Sequence, residues 1–224
     1  MDRKKKEEDE KMKSRKKWTK RNFWLLSMIV SVCICFTACS TTELEERCFP
    51  MMVSVGFEDG KVTYGAAFSK EDATQNAFST AEKNFEESKS KYEKRLNKDA
   101  DYNHLKILVL ESDLLETAAA YEGMLAYLAE TEDFPRNTYV CAVEDADDLF
   151  ELEKNISQDL GTYLEEYLKQ HEEKKDRLLT LGDLLDERAN QSFVLYMPYF
   201  EVEENFVEWK GYMNTSGKSW QESD

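Results

Sequence analysis

Cys39 is the residue whose surroundings most clearly predict a chemical event. Phe36, Thr37 and Ala38 precede it and match a lipobox, in which small residues admit a signal peptidase to the bond before the cysteine, although leucine is more usual than Phe36. The Cys39 thiol would then take a diacylglyceryl group, and the new amino terminus a further acyl chain. Because several acyl chains anchor a protein more firmly than one, the sequence predicts a stable lipid attachment at Cys39.

The leader that precedes Cys39 has the layout of an export signal. Residues 1–38 contain 11 of the 30 basic and 5 of the 46 acidic residues, all of them before the apolar run 23–36. That run is shorter than the roughly 20 apolar residues that a membrane-spanning helix needs. The basic end is expected to stay in the cytoplasm and the rest to be exported. The alternative is an uncleaved signal anchor, which would leave the domain on the same side.

Without the leader, the chain is strongly acidic. Residues 39–224 hold 19 basic and 41 acidic residues, a net charge of −22. This balance argues against nucleic acid and anionic lipid headgroups as partners. A length of 186 residues suits one domain with its own hydrophobic core.

The remaining polar residues do not form a recognisable catalytic motif. The two histidines, His104 and His171, lack metal-binding spacing, and no phosphate-binding glycine loop or nucleophile motif occurs. The acids Asp145, Asp147 and Asp148 could ligate a cation, but acids at a helix start more often serve the helix dipole. We therefore expect a protein that is not an enzyme and that uses no metal or cofactor.

Two cysteines remain in the exported part after Cys39. Cys48 and Cys141 both lie in apolar segments that are typical of strands. In an exported protein the pair could form a disulfide. Two separate buried thiols are the other interpretation, and the sequence leaves both open.

Aromatic residues cluster near the end of the chain. Tyr199, Phe206, Trp209 and Tyr212 could form a face that binds a partner protein, or they could be the core side of an edge hairpin. Strand alternation would place Phe206 and Tyr212 on one face, with Trp209 and Met213 on the other.

Several strands and helices must position these residues. Segments 48–57 and 61–69 flank Asp59-Gly60, which predicts a hairpin because glycine adopts the positive φ of a tight turn. Segment 70–103 is charged and lacks glycine, and its apolar residues share one helical face, which predicts an amphipathic helix. Those apolar residues are Phe78, Ala81, Phe85, Tyr92 and Leu96.

The middle of the chain predicts a parallel pair of strands. Segments 105–110 and 137–143 read as strands, and the helix between them has Ser112 as its expected cap. This order indicates a βαβ unit with a right-handed crossover.

The rest of the chain predicts further helices and a final hairpin. Helices are expected from about Glu144 and over 157–171, and Thr180 with Asp183 forms a capping box. Segments 193–202 and 206–213 read as two strands. The fold class is α+β, a single domain with a mixed sheet of about six strands packed by amphipathic helices. The predicted divisions are a signal peptide at 1–38, a lipidated tether at 39–47, the domain at 48–213 and a polar tail at 214–224.

The order of segments resembles the N-terminal domain of the Ger(x)C, or GerAC-like, spore-germination lipoproteins. The stretches that carry the resemblance are ELEER at 43–47 with VGF at 55–57, HLKILV at 104–109, RNTYV at 136–140, TLGDLL at 180–185, YMP at 196–198 and WKGY at 209–212. The chain departs from the family pattern at Ser40 and Thr41, where tryptophan and aspartate are usual. It also ends soon after Gly211, where relatives continue, so we expect a one-domain version.

The resemblance implies a role. It implies a membrane-anchored, non-enzymatic C subunit of a nutrient germinant receptor, acting in spore germination through protein–protein contacts. Its partners would be the membrane, through the lipid, and integral-membrane receptor subunits. Its location would be the extracytoplasmic face of a bacterial membrane, the spore inner membrane by resemblance. The alternative is an exported ligand-binding or cell-envelope scaffold lipoprotein unrelated to spores.

Overall fold

An eight-stranded mixed sheet is the centre of the computed structural model. The structure describes residues 46–70, 78–171, 178–190, 196–203, 205–214 and 220–221. Its strands are β1 (Arg47–Cys48), β2 (Pro50–Glu58), β3 (Lys61–Phe68), β4 (Ser79–Glu82), β5 (Asp99–Ala100), β6 (Ile107–Glu111), β7 (Tyr139–Val143), β8 (Tyr196–Glu203), β9 (Phe206–Asn214) and β10 (Trp220–Gln221). Its helices are α1 (Phe85–Glu93), α2 (Ser112–Glu116), α3 (Ala118–Thr131), α4 (Ala146–Glu153), α5 (Leu160–His171) and α6 (Leu181–Asn190), and the 3₁₀ turn η1 spans Tyr102–His104.

The sheet has parallel strands at its centre and antiparallel strands at both ends. Its order is β10-β9-β8-β7-β6-β2-β3-β4, and β2, β6, β7 and β8 run parallel. The pairing of Ile107 with Tyr139 confirms the predicted parallel unit of β6 and β7. A separate two-stranded parallel sheet joins β1 to β5. The α+β class is confirmed, with more strands than the sequence predicted.

The predicted hairpin of β2 and β3 is also confirmed. Glu58 pairs with Lys61, and the two turn residues between them, Asp59 and Gly60, have φ angles of 50° and 77°. Both residues must adopt positive φ in the tight turn that matches strand twist, and aspartate and glycine tolerate it best.

The sheet buries a separate hydrophobic cluster on each face. One cluster joins alternate residues of β2 and β3 to α1, α2, α3 and α6, with Tyr64 and Leu108 fully buried. The other joins the intervening residues to α4 and α5, with Met52 and Ile107 fully buried. Strand alternation explains the division, because successive side chains point to opposite faces. Helices therefore cover both faces.

Cys48 and Cys141 are buried and are not joined in a disulfide. Cys48 belongs to the first cluster and Cys141 to the second, so the sheet lies between the two cores that hold them. The disulfide alternative is therefore wrong. Burial raises the pKa of the Cys141 thiol well above its ordinary value, which keeps this thiol unreactive.

The predicted long helix over 70–103 is wrong in part. Among the described residues of that segment, 70 and 78–103, the α-helix is α1 at Phe85–Glu93, and Ser79–Glu82 instead forms β4 at the edge of the sheet. The strand ends at Glu82, and Asn84 then caps the helix, since its side chain accepts a hydrogen bond from the Glu87 backbone. The single apolar face suggested by the sequence belongs to a strand followed by a helix.

Two smaller expectations also differ from the structure. Ser112 is the first residue of α2 and does not cap it; its hydroxyl donates to the carbonyl of Val143 at 3.2 Å. This bond joins the end of β6 to the end of β7. Beyond Met213, the segment expected as a polar tail extends β9 to Asn214 and supplies the short strand β10.

Candidate functional site

Three stretches of the chain, 104–109, 136–140 and 180–185, meet where the parallel strands β6 and β7 begin. The Thr138 hydroxyl donates to the Leu105 carbonyl at 3.2 Å, which joins the first stretch to the second. The backbone N–H groups of Leu181 and Gly182 donate to the carbonyls of Thr138 and Arg136, both at 2.8 Å. These hydrogen bonds hold the starts of β6, β7 and α6 together at one edge of the sheet.

The local sequence explains why α6 begins at this edge. The Thr180 N–H donates to the Asp183 carboxylate at 2.9 Å, and the Asp183 N–H donates to the Thr180 hydroxyl at 3.3 Å. This reciprocal arrangement confirms the predicted capping box. Glycine at position 182 allows the start of α6 to approach Arg136 closely, because a Cβ there would lie 3.0 Å from the Arg136 carbonyl oxygen.

A cleft of about 540 Å³ opens at this edge, which we call the motif cleft. The volume lies within the range of small-ligand and peptide pockets. Its lining comes from η1, the starts of β6 and β7, α5 and the start of α6. The residues are Asn103, His104, Leu105, Lys106, Asn137, Tyr139, Glu165, Lys169, Leu178 and Thr180.

Two lysines and one glutamate form the charged wall of the motif cleft. The Glu165 carboxylate accepts from Lys169 at 2.6 Å and lies 3.0 Å from the Lys106 ammonium. Partial burial alone would raise the pKa of Glu165, but hydrogen bonds from Lys169 and Lys106 hold it below its ordinary value. Lys106 also donates to the Thr162 hydroxyl at 2.9 Å, and the Lys169 ammonium lies 5.6 Å from the Tyr139 ring centre. The wall therefore holds one negative and two positive charges.

The structure separates the two histidines. His104 is exposed on the rim of the motif cleft, and its ring packs edge-on against Phe49 with 5.2 Å between ring centres. His171 ends α5, where its ring lies 4.2 Å from that of Tyr167 and stacks on Trp209 at 5.7 Å. Only His104 reaches the cleft.

The aromatic residues of the last hairpin do not share one face. Tyr199 is 5% exposed and belongs to the first core cluster, whereas Trp209 packs against the second. Phe206 is 53% exposed, and Tyr212 meets the Trp209 ring edge-on at 5.2 Å. The four residues proposed as a partner face are therefore divided between the two sides of the sheet.

A β-bulge explains why the predicted alternation fails along β9. Tyr199 pairs with Gly211 but the next residue, Phe200, pairs with Trp209, so Lys210 is an extra residue. Gly211 has a φ of 121°, which glycine tolerates best. The extra residue reverses the alternation, and Met213 joins the first cluster while Trp209 stays with the second.

Tyrosines of α5 bond the backbone of β9. The Trp209 N–H donates to the Tyr167 hydroxyl at 2.9 Å, and the Val207 N–H to the Tyr163 hydroxyl at 3.3 Å. These two N–H groups are thus satisfied by side chains in place of a neighbouring strand, which protects this part of β9 from pairing with another chain.

The acids at the start of α4 serve that helix. Asp145 accepts a hydrogen bond from the Asp147 N–H at 2.8 Å and is the N-terminal cap. Asp147 and Asp148 occupy its first turn, where negative charge favours the helix dipole. Among the residues that the structure describes, no group of three or more histidine, cysteine or acidic side chains is arranged to hold a metal ion.

Sequence reasoning did not identify the charged residues of the motif cleft. Lys106 lies 59 residues before Glu165, and Lys169 lies four residues after Glu165. In the sequence, each looked like an ordinary surface charge. The stretches at 104–109, 136–140 and 180–185 could have indicated the position of the cleft, because all three meet at this edge. Chemically, the cleft can bind an anionic group through its ammonium and amide donors.

The predicted lipid site lies outside the described residues. Cys39, the lipobox Phe36–Ala38 and the signal peptide 1–38 all precede residue 46, where the description begins. Within the described ranges, no helix is both long and apolar enough to cross a membrane.

Comparison with known protein families gives a match. The sequence matches the family model described as the spore germination protein N-terminal domain over residues 40–202. That range begins directly after Cys39 and includes the three stretches that form the motif cleft. The comparisons found no match among curated proteins or solved structures.

Proposed function

Because the chain belongs to the family of spore germination protein N-terminal domains, we propose that it is a membrane-anchored, non-enzymatic subunit of a nutrient germinant receptor. The observation that carries this proposal is the family match over residues 40–202, which covers most of the chain. It agrees with the sequence resemblance and makes a role unrelated to spores the weaker alternative.

Lipid at Cys39 is the proposed means of anchoring. The match starts at residue 40, immediately after the cysteine of the lipobox, as expected if the domain begins where cleavage and lipidation leave it. A lipidated cysteine would hold the domain at the extracytoplasmic face of the membrane, which by family resemblance is the spore inner membrane.

Protein–protein contact is the proposed mode of action. The motif cleft supplies ammonium, amide and imidazole groups, which can bind polar groups of a partner protein. The proposed partners are the integral-membrane subunits of the receptor. The domain would act by holding those subunits in a responsive arrangement, and catalysis is not required of it.

Deletion of the gene tests the proposed function. Spores of the deletion strain should germinate slowly or not at all when given the nutrient, and an intact copy of the gene should restore germination. Germination by a nutrient-independent trigger is the control and should be unchanged. Normal nutrient germination, with no protein detected in developing spores, would contradict the proposal.

A further inference from the structure

We propose that the motif cleft docks an acidic extracytoplasmic segment of the membrane-embedded receptor subunits. This inference rests on the proposed function and adds the surface through which the domain would act. It replaces the aromatic residues of the last hairpin as the expected partner face, since these are divided between two sides of the sheet.

The point where the chain enters the domain is bonded to a wall of the motif cleft. Arg47 forms an ion pair with Asp101 at 2.9 Å, and the Asp101 N–H donates to the Cys48 carbonyl at 2.9 Å. Asp101 is also the cap of η1, whose last residue, His104, packs on Phe49. The entry strand β1 and the cleft wall η1 are therefore one connected unit.

The length of the tether limits how far this end of the domain can lie from the membrane. Eight peptide steps separate Cys39 from Arg47, and a fully extended chain of that length spans no more than about 29 Å. With lipid on Cys39, Arg47, which is paired with Asp101 beside the cleft wall, would stay within about 30 Å of the membrane surface. The turn at Asp59-Gly60 lies at the far end of the nine-residue strand β2, roughly 30 Å further along the sheet. The cleft edge is thus the part of the domain best placed to meet a membrane-embedded partner.

The charge of the motif cleft is opposite to that of most of the domain. Among the described residues, Lys106 donates to Thr162 and Glu165, and Lys169 donates to Glu165. An ammonium group has three N–H donors, so these lysines retain donors for further carboxylates. The cleft wall has one acid for two bases, whereas residues 39–224 have 41 acids for 19 bases. An acidic segment would therefore be attracted by the cleft wall and repelled by most other surfaces of the domain.

The same charges favour a protein segment over an anionic lipid surface. At physiological salt, charges interact over about 8 Å, so a short acidic segment inside the cleft would be attracted by the lysines and screened from most other acids. A flat anionic membrane would approach the whole acidic surface and be repelled.

The test uses the full-length, affinity-tagged protein purified from detergent-solubilised membranes of sporulating cells. The variant Lys106→Gln with Lys169→Gln should recover roughly tenfold less of the membrane-embedded receptor subunits than wild type, because two charge-assisted contacts are lost. The matched control is Lys61→Gln with Lys83→Gln, which removes two exposed lysines at the opposite edge and should leave recovery unchanged. Glu165→Gln, which makes the cleft more positive, should match or exceed wild type.

Each outcome decides between stated possibilities. Equal recovery by wild type and the Lys106 and Lys169 variant, or reduced recovery by Glu165→Gln, would overturn the docking surface while leaving the proposed function intact. Failure of wild type to recover any receptor subunit would instead contradict the proposed function. Binding of wild type, but not the double variant, to vesicles of anionic phospholipid would assign the cleft to lipid and overturn the proposal. Thermal unfolding midpoints show whether the variants are folded, and Glu165→Gln decides the matter if the double variant is not.

Discussion

Glu111 is a carboxyl group whose surroundings strongly change its acidity. It ends β6, and its carboxylate lies over Gly56, where a Cβ would be only 2.0 Å from the Glu111 Oε2 atom. Burial, and then the negative charges of Asp145, Asp147, Asp113 and Glu58, raise the pKa of Glu111 to about 7. The adjacent Thr63 hydroxyl is buried and has no hydrogen-bond partner among the described residues. The end of the parallel strands thus holds a carboxyl group that is partly protonated at neutral pH.

The raised pKa predicts that stability falls with rising pH. Below about pH 4.5 the Glu111 side chain is protonated in both the folded and unfolded chains, and its stabilising contribution is fully present. As the pH rises towards 7, the unfolded chain releases this proton first, so the free energy of unfolding falls by up to about 3 kcal/mol. Glu111→Gln should remove this dependence and be more stable than wild type at pH 8.

Urea unfolding of wild type and Glu111→Gln at pH 5 and pH 8 measures this effect. The control is Glu116→Gln, an exposed carboxylate on the neighbouring helix, which should keep the wild-type pH dependence. A Glu111→Gln protein that is less stable than wild type at pH 8 would show that the buried carboxylate is stabilised by its surroundings.

For single residues, the sequence predicted the features that depend only on neighbours along the chain. The turn at Asp59-Gly60 and the cap of Thr180 with Asp183 were both visible as local patterns. Glu111 over Gly56 was not, because the two residues are 55 positions apart and nothing in either segment marks their contact. Turns and helix caps can be predicted from one segment of the sequence, but the electrostatic environment of a side chain depends on the fold.

Helix α5 packs against the sheet through a glycine. A Cβ on Gly161 would lie 2.3 Å from the Met51 carbonyl oxygen, so this helix can cover the start of β2 only without a side chain there. Gly123, in α3, offers the matched contrast, since a Cβ at that position meets nothing within 4 Å.

These two glycines predict opposite effects of the same substitution. Gly161→Ala should reduce the free energy of unfolding by roughly 2–4 kcal/mol, because helix and strand must move apart. Gly123→Ala should increase it by roughly 0.5–1 kcal/mol, because alanine favours the helix. Urea unfolding midpoints of both variants provide the measurement. A Gly161→Ala protein as stable as wild type would show that α5 does not pack as described.

Among the elements, the sequence predicted those with a strong period or a clear boundary. The parallel strands β6 and β7 and the final hairpin were confirmed. The strand β4 was mistaken for helix because its few apolar residues also fit a helical period, and pairing with β3 decides its conformation. The bulge at Gly211 was missed because the pattern around it alternates as an unbroken strand would.

For the whole molecule, the decisive feature is the meeting of distant segments at one edge of the sheet. The stretches at 104–109, 136–140 and 180–185 were recognised as part of a family pattern, and the structure brings them to the motif cleft. The entry strand β1 is bonded to the same edge through Arg47 and Asp101. The sequence could indicate the family and the proposed anchoring cysteine, Cys39, but the meeting of these stretches and β1 at one edge follows only from the arrangement of strands.

The central claim is that lipid at Cys39 holds this domain beside membrane subunits that act in germination. The most direct measurement is nutrient-triggered germination of spores whose single copy of the gene carries Cys39→Ala, with the amount of protein matched to wild type by immunoblot. The account predicts that these spores germinate as poorly as the deletion strain, while the protein loses its membrane attachment. Germination at the wild-type rate by Cys39→Ala spores would contradict it, whether the protein is then soluble or still held in the membrane.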